Sequence, residues 1–418
     1  MTNSESASNH QLGALPARDG SPQRDLLVAL MASVVASLPV FLVGALAVQI
    51  RSSLHFSTSE LGFIVTFSYL GAAMWSVPSG LLAERIGGVR VLKFAPLTGG
   101  VLLVGLATIT TSWVTIGVLL FFSGMVSASI ATGSNLFLAK RTDPAHQGLI
   151  FGIKQAAIPT ASLLGGVAVP AIALTVGWRW AFVGAAVLAL LTFLLVPAPA
   201  TSLSERRAER SATSLPNLRR TPLIVLGIGL GLGVFSATGV AAFLVIDAVR
   251  IGIGHGNAGL TVAIASAAAV IGRVITGFLA DRRGGRHFPV VATMMGIGAL
   301  GYLALAVGAS TRLHWLYVAG AIFALGVGWG WNGLFNFATI HTHRHAPARA
   351  TGITQVGGRL GGMLGPLVLG VVATNLSFPA AWVVAGISTG SGAIAVMIGR
   401  RLLLRSREEP APTTLSST

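Results

Sequence analysis

The chain contains about twelve apolar runs, each near the roughly 20 residues that an α-helix needs to cross a bilayer core. Their approximate spans are 25–50, 60–83, 91–110, 113–139, 149–175, 179–199, 222–248, 258–280, 288–309, 314–340, 350–375 and 380–400. The joints are short and hold the charges and turn formers, as in Arg51-Ser52-Ser53, Lys140-Arg141-Thr142-Asp143-Pro144 and Arg282-Arg283-Gly284-Gly285-Arg286. Hydrocarbon offers no partner for a backbone N–H or C=O, so such runs form helices whose bonds are internal. With 53% hydrophobic and only 10% charged residues, the chain lacks the charge that a soluble surface carries. A net charge of +16 would indicate a nucleic-acid partner in a polar chain. Here the basic residues lie thinly between apolar runs, so the expected partner is the lipid bilayer and not nucleic acid. The absence of cysteine excludes disulfides and thiolate metal sites.

Basic residues set the orientation. With the N-terminus inside, twenty-one Lys and Arg between Arg18 and Arg407 fall on the cytoplasmic side, against Arg51, Arg179, Arg250 and Arg312 outside. The positive-inside rule therefore predicts both termini in the cytoplasm of a multi-pass protein of the inner (cell) membrane. Residues 1–24 lack a cleavage-site pattern and read as a disordered cytoplasmic tail before an uncleaved first helix. The remainder divides into a six-helix bundle over 25–199, a polar cytoplasmic linker over 200–221, a second bundle over 222–401 and a cytoplasmic tail over 402–418.

The two bundles repeat. The second run ends in GLLAERIGGVR from Gly80, and the eighth in GFLADRRGGRH from Gly277, an offset of 197. The fifth run opens with Gly152-Ile153-Lys154-Gln155 and the eleventh with Gly352-Ile353-Thr354-Gln355, an offset of 200. Each pair is six helices apart, an even number of crossings, so the halves are parallel repeats about an axis along the membrane normal.

With these motifs the chain resembles the major facilitator superfamily over essentially its whole length. The family's loop motif is matched by Gly277, Asp281, Arg282, Gly284 and Arg286, and by Gly80, Glu84, Arg85 and Gly87, with Arg90 one place late. Glu84 replaces the usual Asp, and Gly88 and Gly285 stand where a basic residue is common. The resemblance implies an all-α membrane protein, twelve transmembrane helices in two parallel six-helix repeats, that works by alternating access. It also implies a gating role for Gly80, Glu84, Arg85, Gly277, Asp281 and Arg282. The glycine would let helices approach, and the acid and arginine would bridge to the other bundle in one state only. The plainer reading is that these charges merely set topology.

Three basic residues, Lys154, Arg273 and Arg359, fall within runs, where a charge costs roughly 3 kcal/mol or more. At 1.5 Å per residue, Arg273 lies about 12 Å in from Asp281, and Arg359 about as deep, with Lys154 shallower. Gln355 and Arg359 share a helix face, equivalent to that of Gln155, Pro159 and Ser162, while Lys154 is rotated about 100° away to the cavity edge. Asp25, Glu60, Glu84, Asp247 and Asp281 all fall near run ends, so the deep cations lack a protein counter-ion. An anionic substrate would supply it, gripped by the planar forks of two arginines. Arg273 followed by Gly277 and Asp281 is similar to the arrangement in oxalate/formate exchangers and monocarboxylate transporters, where the resemblance implies an anion contact. Otherwise Arg273 snorkels toward the cytoplasm or caps carbonyls of a broken helix.

Tyr69, Trp75, Asn135, Trp329, Trp331, Asn332 and Asn336 are further candidates to line the cavity, with Trp331 and Asn332 favoured by their glycine-rich segment and Tyr69 retained beside them. Packing or interfacial anchoring is the plainer role for any one of these. Gly357, Gly361 and Gly365 permit either a sliding or a static helix contact. His341, His343 and His345 read as a solvated loop rather than a metal site.

The expected function is a secondary transporter of a small organic anion, a carboxylate above others, in symport or antiport with a proton or a counter-transported anion. Lys154 is a candidate proton site. No Walker string, nucleophile or acid/base constellation is present, so neither ATP-driven transport nor an enzyme is expected, and no cofactor. Drug or metabolite efflux ranks second, because the fifth run has Pro159 without the Gly-Pro pair of the superfamily's antiporters. A non-transporting receptor ranks third.

Overall fold

The structure, a computed structural model, describes residues 22–141, 147–197, 220–282, 287–343 and 346–408. Every regular element among them is helical. The first traverse is α1 (Pro22–Ala45) with α2 (Ala47–Leu54), followed by α3 (Thr58–Ile86), α4 (Gly88–Thr108) and α5 (Trp113–Arg141). The fifth traverse comes in pieces: α6 (Gln147–Gln155), α7 (Ala157–Ala168) and a π-helical turn, Val169–Ala173. Helix α8 (Arg179–Leu195) ends the first half. The second half holds α9 (Arg220–Arg250), α10 (His255–Arg282) and α11 (His287–Thr311). Its fourth traverse joins α12 (His314–Ala321), a π-helical segment Ile322–Val327 and α13 (Gly328–Thr342), before α14 (Pro347–Asn375) and α15 (Phe378–Glu408). Eleven traverses are long and apolar enough to span a bilayer, and the shorter apolar α8 is the twelfth.

Helix ends depart from the sequence expectation where local chemistry favours helix. Helix α1 starts at Pro22, whose fixed φ suits a first turn, and α15 runs to Glu408 through helix-forming Arg and Leu. The expected tails and linker are shorter by those residues; what remains of them, 1–21, 200–219 and 409–418, lies outside the described residues. Helix α3 opens on a capping box: Ser57 Oγ accepts from the Glu60 amide at 3.2 Å while the Ser57 amide donates to Glu60 Oε2. Between α3 and α4 the chain turns on Gly87 at φ +91°, a conformation that a side chain would strain.

The glycine series of α14 packs inside the second half. A Cβ at Gly357, Gly361 or Gly365 would run into the main-chain carbonyls of Gly227, Gly231 and Phe235 on α9. The contact joins two helices of one half, which favours the static reading over the slide.

The halves meet mainly at one end of the molecule. There Gly44 of α1 faces the Ala241 carbonyl of α9, and Gly166 of α7 faces Gly259 and Ala263 of α10. Ser266 Oγ donates to Ser162 Oγ at 2.8 Å, Ser59 Oγ to Thr374 Oγ1 at 2.8 Å and Thr66 Oγ1 to the Met363 carbonyl at 3.0 Å. Toward the other end the helices part. A Cβ at Gly80, Gly152 or Gly352 would meet nothing within 4 Å. Contrary to the expectation for the motif glycine, Gly80 makes no close helix approach, because α3 stands free at that level, with Val77 73% exposed.

Candidate functional site

The site begins with a proline. Pro159 has no N–H to bond the carbonyl four residues earlier, that of Gln155. Helix α6 accordingly stops at Gln155, the Ala156 amide turns back to the Ile153 carbonyl at 2.9 Å, and α7 starts at Ala157. The Gln155 carbonyl is left free and points across the interface between the halves. Arg273 of α10, only 3% exposed, meets it: Nη1 donates to the Gln155 carbonyl and Nη2 to the Trp329 carbonyl on α13 at 3.1 Å. The guanidinium carbon stands 5.4 Å from the centre of the Trp329 ring, and Nε is buried with no partner. Arg273 thus caps carbonyls of two interrupted helices, one from each half, which is the alternative that the sequence allowed.

Next to Gln155, Lys154 is 6% exposed and donates from Nζ to Asn135 Oδ1 of α5 at 2.5 Å. It is buried within its own half, because its helix face turns it toward α5. On the far side, Gln155 Cβ lies about van der Waals distance, 4.0 Å, from where a Cβ on Gly333 of α13 would stand. The same helix carries Asn332, whose Oδ1 accepts from Asn336 Nδ2 at 3.3 Å. Asn336 Oδ1 in turn accepts from Gln355 Nε2 of α14 at 2.9 Å. One turn on, Arg359 is exposed and reaches from Nη1 to the Ala72 carbonyl of α3 at 3.5 Å. Tyr69 of α3 lays its ring on Gly362, where a Cβ would come 2.7 Å from it. These contacts run from α5 through α6, α13 and α14 to α3, along the faces where the two halves confront each other.

None of Lys154, Arg273 and Arg359 lies within ion-pair distance of a carboxylate among the described residues. The carboxylate of Asp247, fully buried, is taken up elsewhere by Arg250 at 2.8 Å and by Trp382 Nε1 at 2.6 Å. Asp247 is near a helix end, as expected, but it serves a buried polar cluster that its position alone did not reveal.

Other expected residues go to different places. Trp331 is fully buried in the core of the second half against Phe335 and Gly233, so it packs that bundle rather than lining the space between them. Trp75 donates to Ser129 Oγ at 2.9 Å within the first half. The first motif copy ends α3, where Arg85 is exposed; Asp281 and Arg282 lie in the last turn of α10 with Gly277 one turn earlier. The side chains of Glu84, Gly277, Asp281 and Arg282, and all of Gly284, Gly285, Arg286 and His345, lie outside the described residues. Two participants were not anticipated at all, the main-chain carbonyls of Gln155 and Ala72. A proline four residues after Gln155 was the available signal for the first.

The family profile described as "Major Facilitator Superfamily" matches residues 29–364. Among curated proteins, the chain is 26% identical over 381 residues to the "Cis,cis-muconate transport protein" of Acinetobacter baylyi, covering 86% of this chain and 90% of that one. It is 24% identical over 393 residues to a "Putative tartrate transporter" of Agrobacterium vitis, covering 86% of each. Among solved structures, a D-xylose-proton symporter matches with a TM-score of 0.70 at 17% identity, over 90% of this chain and 97% of that one. A bacterial homologue of the human lysosomal transporter Spinster, in an inward-facing and occupied conformation, matches with a TM-score of 0.67 at 15% identity, over 94% and 100%. With twelve traverses, two repeats and a profile match over most of its length, the chain is a multi-pass membrane transporter, not an enzyme, and belongs to the Major Facilitator Superfamily.

Proposed function

We propose that this transporter moves a small organic anion, a carboxylate or dicarboxylate, between Arg273 and Arg359 by alternating access. The observation that carries this reading is the set of cations at the interface with no carboxylate partner, since an uncompensated charge at membrane depth is retained where a ligand or ion pathway needs it. Two relatives whose names specify dicarboxylates, muconate and tartrate, support it. Gln155, Gln355, Asn332 and Tyr69 border the site, and Lys154 stands behind it as a third cation. Trp331 contributes only through packing.

In this reading the halves 25–199 and 222–401, joined by a cytoplasmic linker over 200–221, rock about the site. The protein sits in the bacterial inner membrane with both termini in the cytoplasm. The closed end, at Ser59 and Thr374, then faces outward, and the structure is open to the cytoplasm. The two motif copies, through Glu84, Arg85, Asp281 and Arg282, bridge the cytoplasmic ends in the opposite state.

Uptake of labelled dicarboxylates into proteoliposomes tests the proposal. Arg273→Ala and Arg359→Ala are each expected to weaken the apparent affinity by about tenfold to a hundredfold, the range for losing a charge-assisted contact. If both variants transport normally, the anion site is not here.

A further inference from the structure

Both arginines belong to the second half, and both reach main-chain carbonyls of the first. Arg273 holds the Gln155 carbonyl of α6 and Arg359 the Ala72 carbonyl of α3. In the sequence repeat, Arg359 is the counterpart of Pro159 at the offset of 200, so the residue that frees a carbonyl in the first half is replaced in the second by one that reaches for a carbonyl. We propose that Pro159 is a positioning residue for substrate recognition. By withholding its N–H it supplies the Gln155 carbonyl as the resting acceptor of Arg273, which the substrate anion must displace.

The argument rests on acceptor supply. A regular helix would spend the Gln155 carbonyl on the amide at position 159, and Arg273 would then confront a bonded carbonyl. Buried at 3% exposure with no carboxylate in reach, the guanidinium needs neutral acceptors to persist in the empty carrier. Two carbonyls satisfy it only partly, since Nε remains unpartnered. A carboxylate offers two charged acceptors in the fork geometry that Arg prefers, so exchange of the carbonyl for the substrate is favourable. Because the carbonyl belongs to the other half, the same exchange releases a bond between the halves. Substrate binding and freedom to reorient are thereby coupled through one side chain.

This inference builds on the anion reading, and the experiment separates the two. Purified wild-type protein is titrated with tartrate and muconate, with binding read by thermal shift and by calorimetry. Pro159→Ala restores the amide, which competes with Arg273 for the Gln155 carbonyl; Pro159→Gly does the same if the alanine variant does not fold. The expected result is a Kd about tenfold lower than wild type, because a competing acceptor has been removed. A Kd within twofold of wild type in a folded variant overturns the proposal while leaving the anion site standing. Failure of every anion to bind wild type, or binding that survives Arg273→Ala, overturns the anion reading itself. Independently of any proline variant, spin labels at Gly152 and Ile275 report the spacing of α6 and α10. Saturating anion is expected to shift that distance distribution, and binding without a shift overturns the displacement of Arg273 from Gln155.

Discussion

At the scale of single residues, the buried cations make opposite demands on stability and on function. Lys154 has one neutral acceptor, Asn135 Oδ1, and no carboxylate. Replacing an incompletely compensated buried charge with an apolar side chain of similar length is often neutral or stabilising. Lys154→Met is therefore expected to raise or preserve the melting temperature of the empty protein while reducing the stabilisation gained from added dicarboxylate. A variant that loses thermal stability yet keeps the full anion-induced shift would assign Lys154 a purely structural role. The depth and isolation of all three cations were readable in the sequence, because an ionisable group inside an apolar run is conspicuous. Their partners were not, since these are largely main-chain carbonyls, and a carbonyl has no letter in the sequence. Trp331 was misplaced for a related reason: a deep tryptophan in a glycine-rich helix satisfies both a cavity wall and a core, and only the neighbouring Gly233 and Phe335 decide for the core.

At the scale of elements, the twelve runs and their repeat were legible because bilayer thickness fixes helix length and loop charge marks helix ends. The internal breaks were legible only in part. The division of α6 from α7 follows from Pro159, which the reading of one continuous run over 149–175 did not use, whereas the π-helical segment Ile322–Val327 contains no proline. The contact between α7 and α10 permits a direct test of which faces separate during transport. Ser162 Oγ and Ser266 Oγ are 2.8 Å apart, and the chain has no cysteine of its own. The double variant Ser162→Cys, Ser266→Cys is expected to form a disulfide on oxidation, with transport stopping and a thiol reductant restoring it. Anion binding persists in the locked protein, because the lock lies at the closed end, beyond the Gln155 carbonyl. Undiminished transport in fully oxidised protein would show that this interface stays together throughout the cycle.

At the scale of the whole molecule, the halves are held by packing and hydroxyl bonds at one end and, near the middle, by the bond from Arg273 to the Gln155 carbonyl, with Arg359 reaching toward the Ala72 carbonyl at 3.5 Å. The packing is indifferent to substrate; the arginine bonds are not. Under the proposed displacement, an empty carrier breaks them to reorient with nothing offered in return, whereas a loaded carrier has already exchanged them for contacts to the anion. A ligand shifts such an equilibrium only through this difference between states. The proposed anion site therefore predicts that return of the empty protein is the slow step and that exchange of one anion for another is faster than net movement. Proteoliposomes preloaded with unlabelled dicarboxylate are expected to take up labelled dicarboxylate about tenfold faster than empty ones, a ratio corresponding to roughly one net hydrogen bond to a charged group. The acceleration should shrink in Pro159→Ala, where the resting acceptor of Arg273 is occupied by an amide. Equal rates in empty and preloaded vesicles would mean that the arginines do not restrain the empty carrier. Uptake driven by a proton gradient alone, at the same rate in Lys154→Met, would place the coupling on a group other than Lys154.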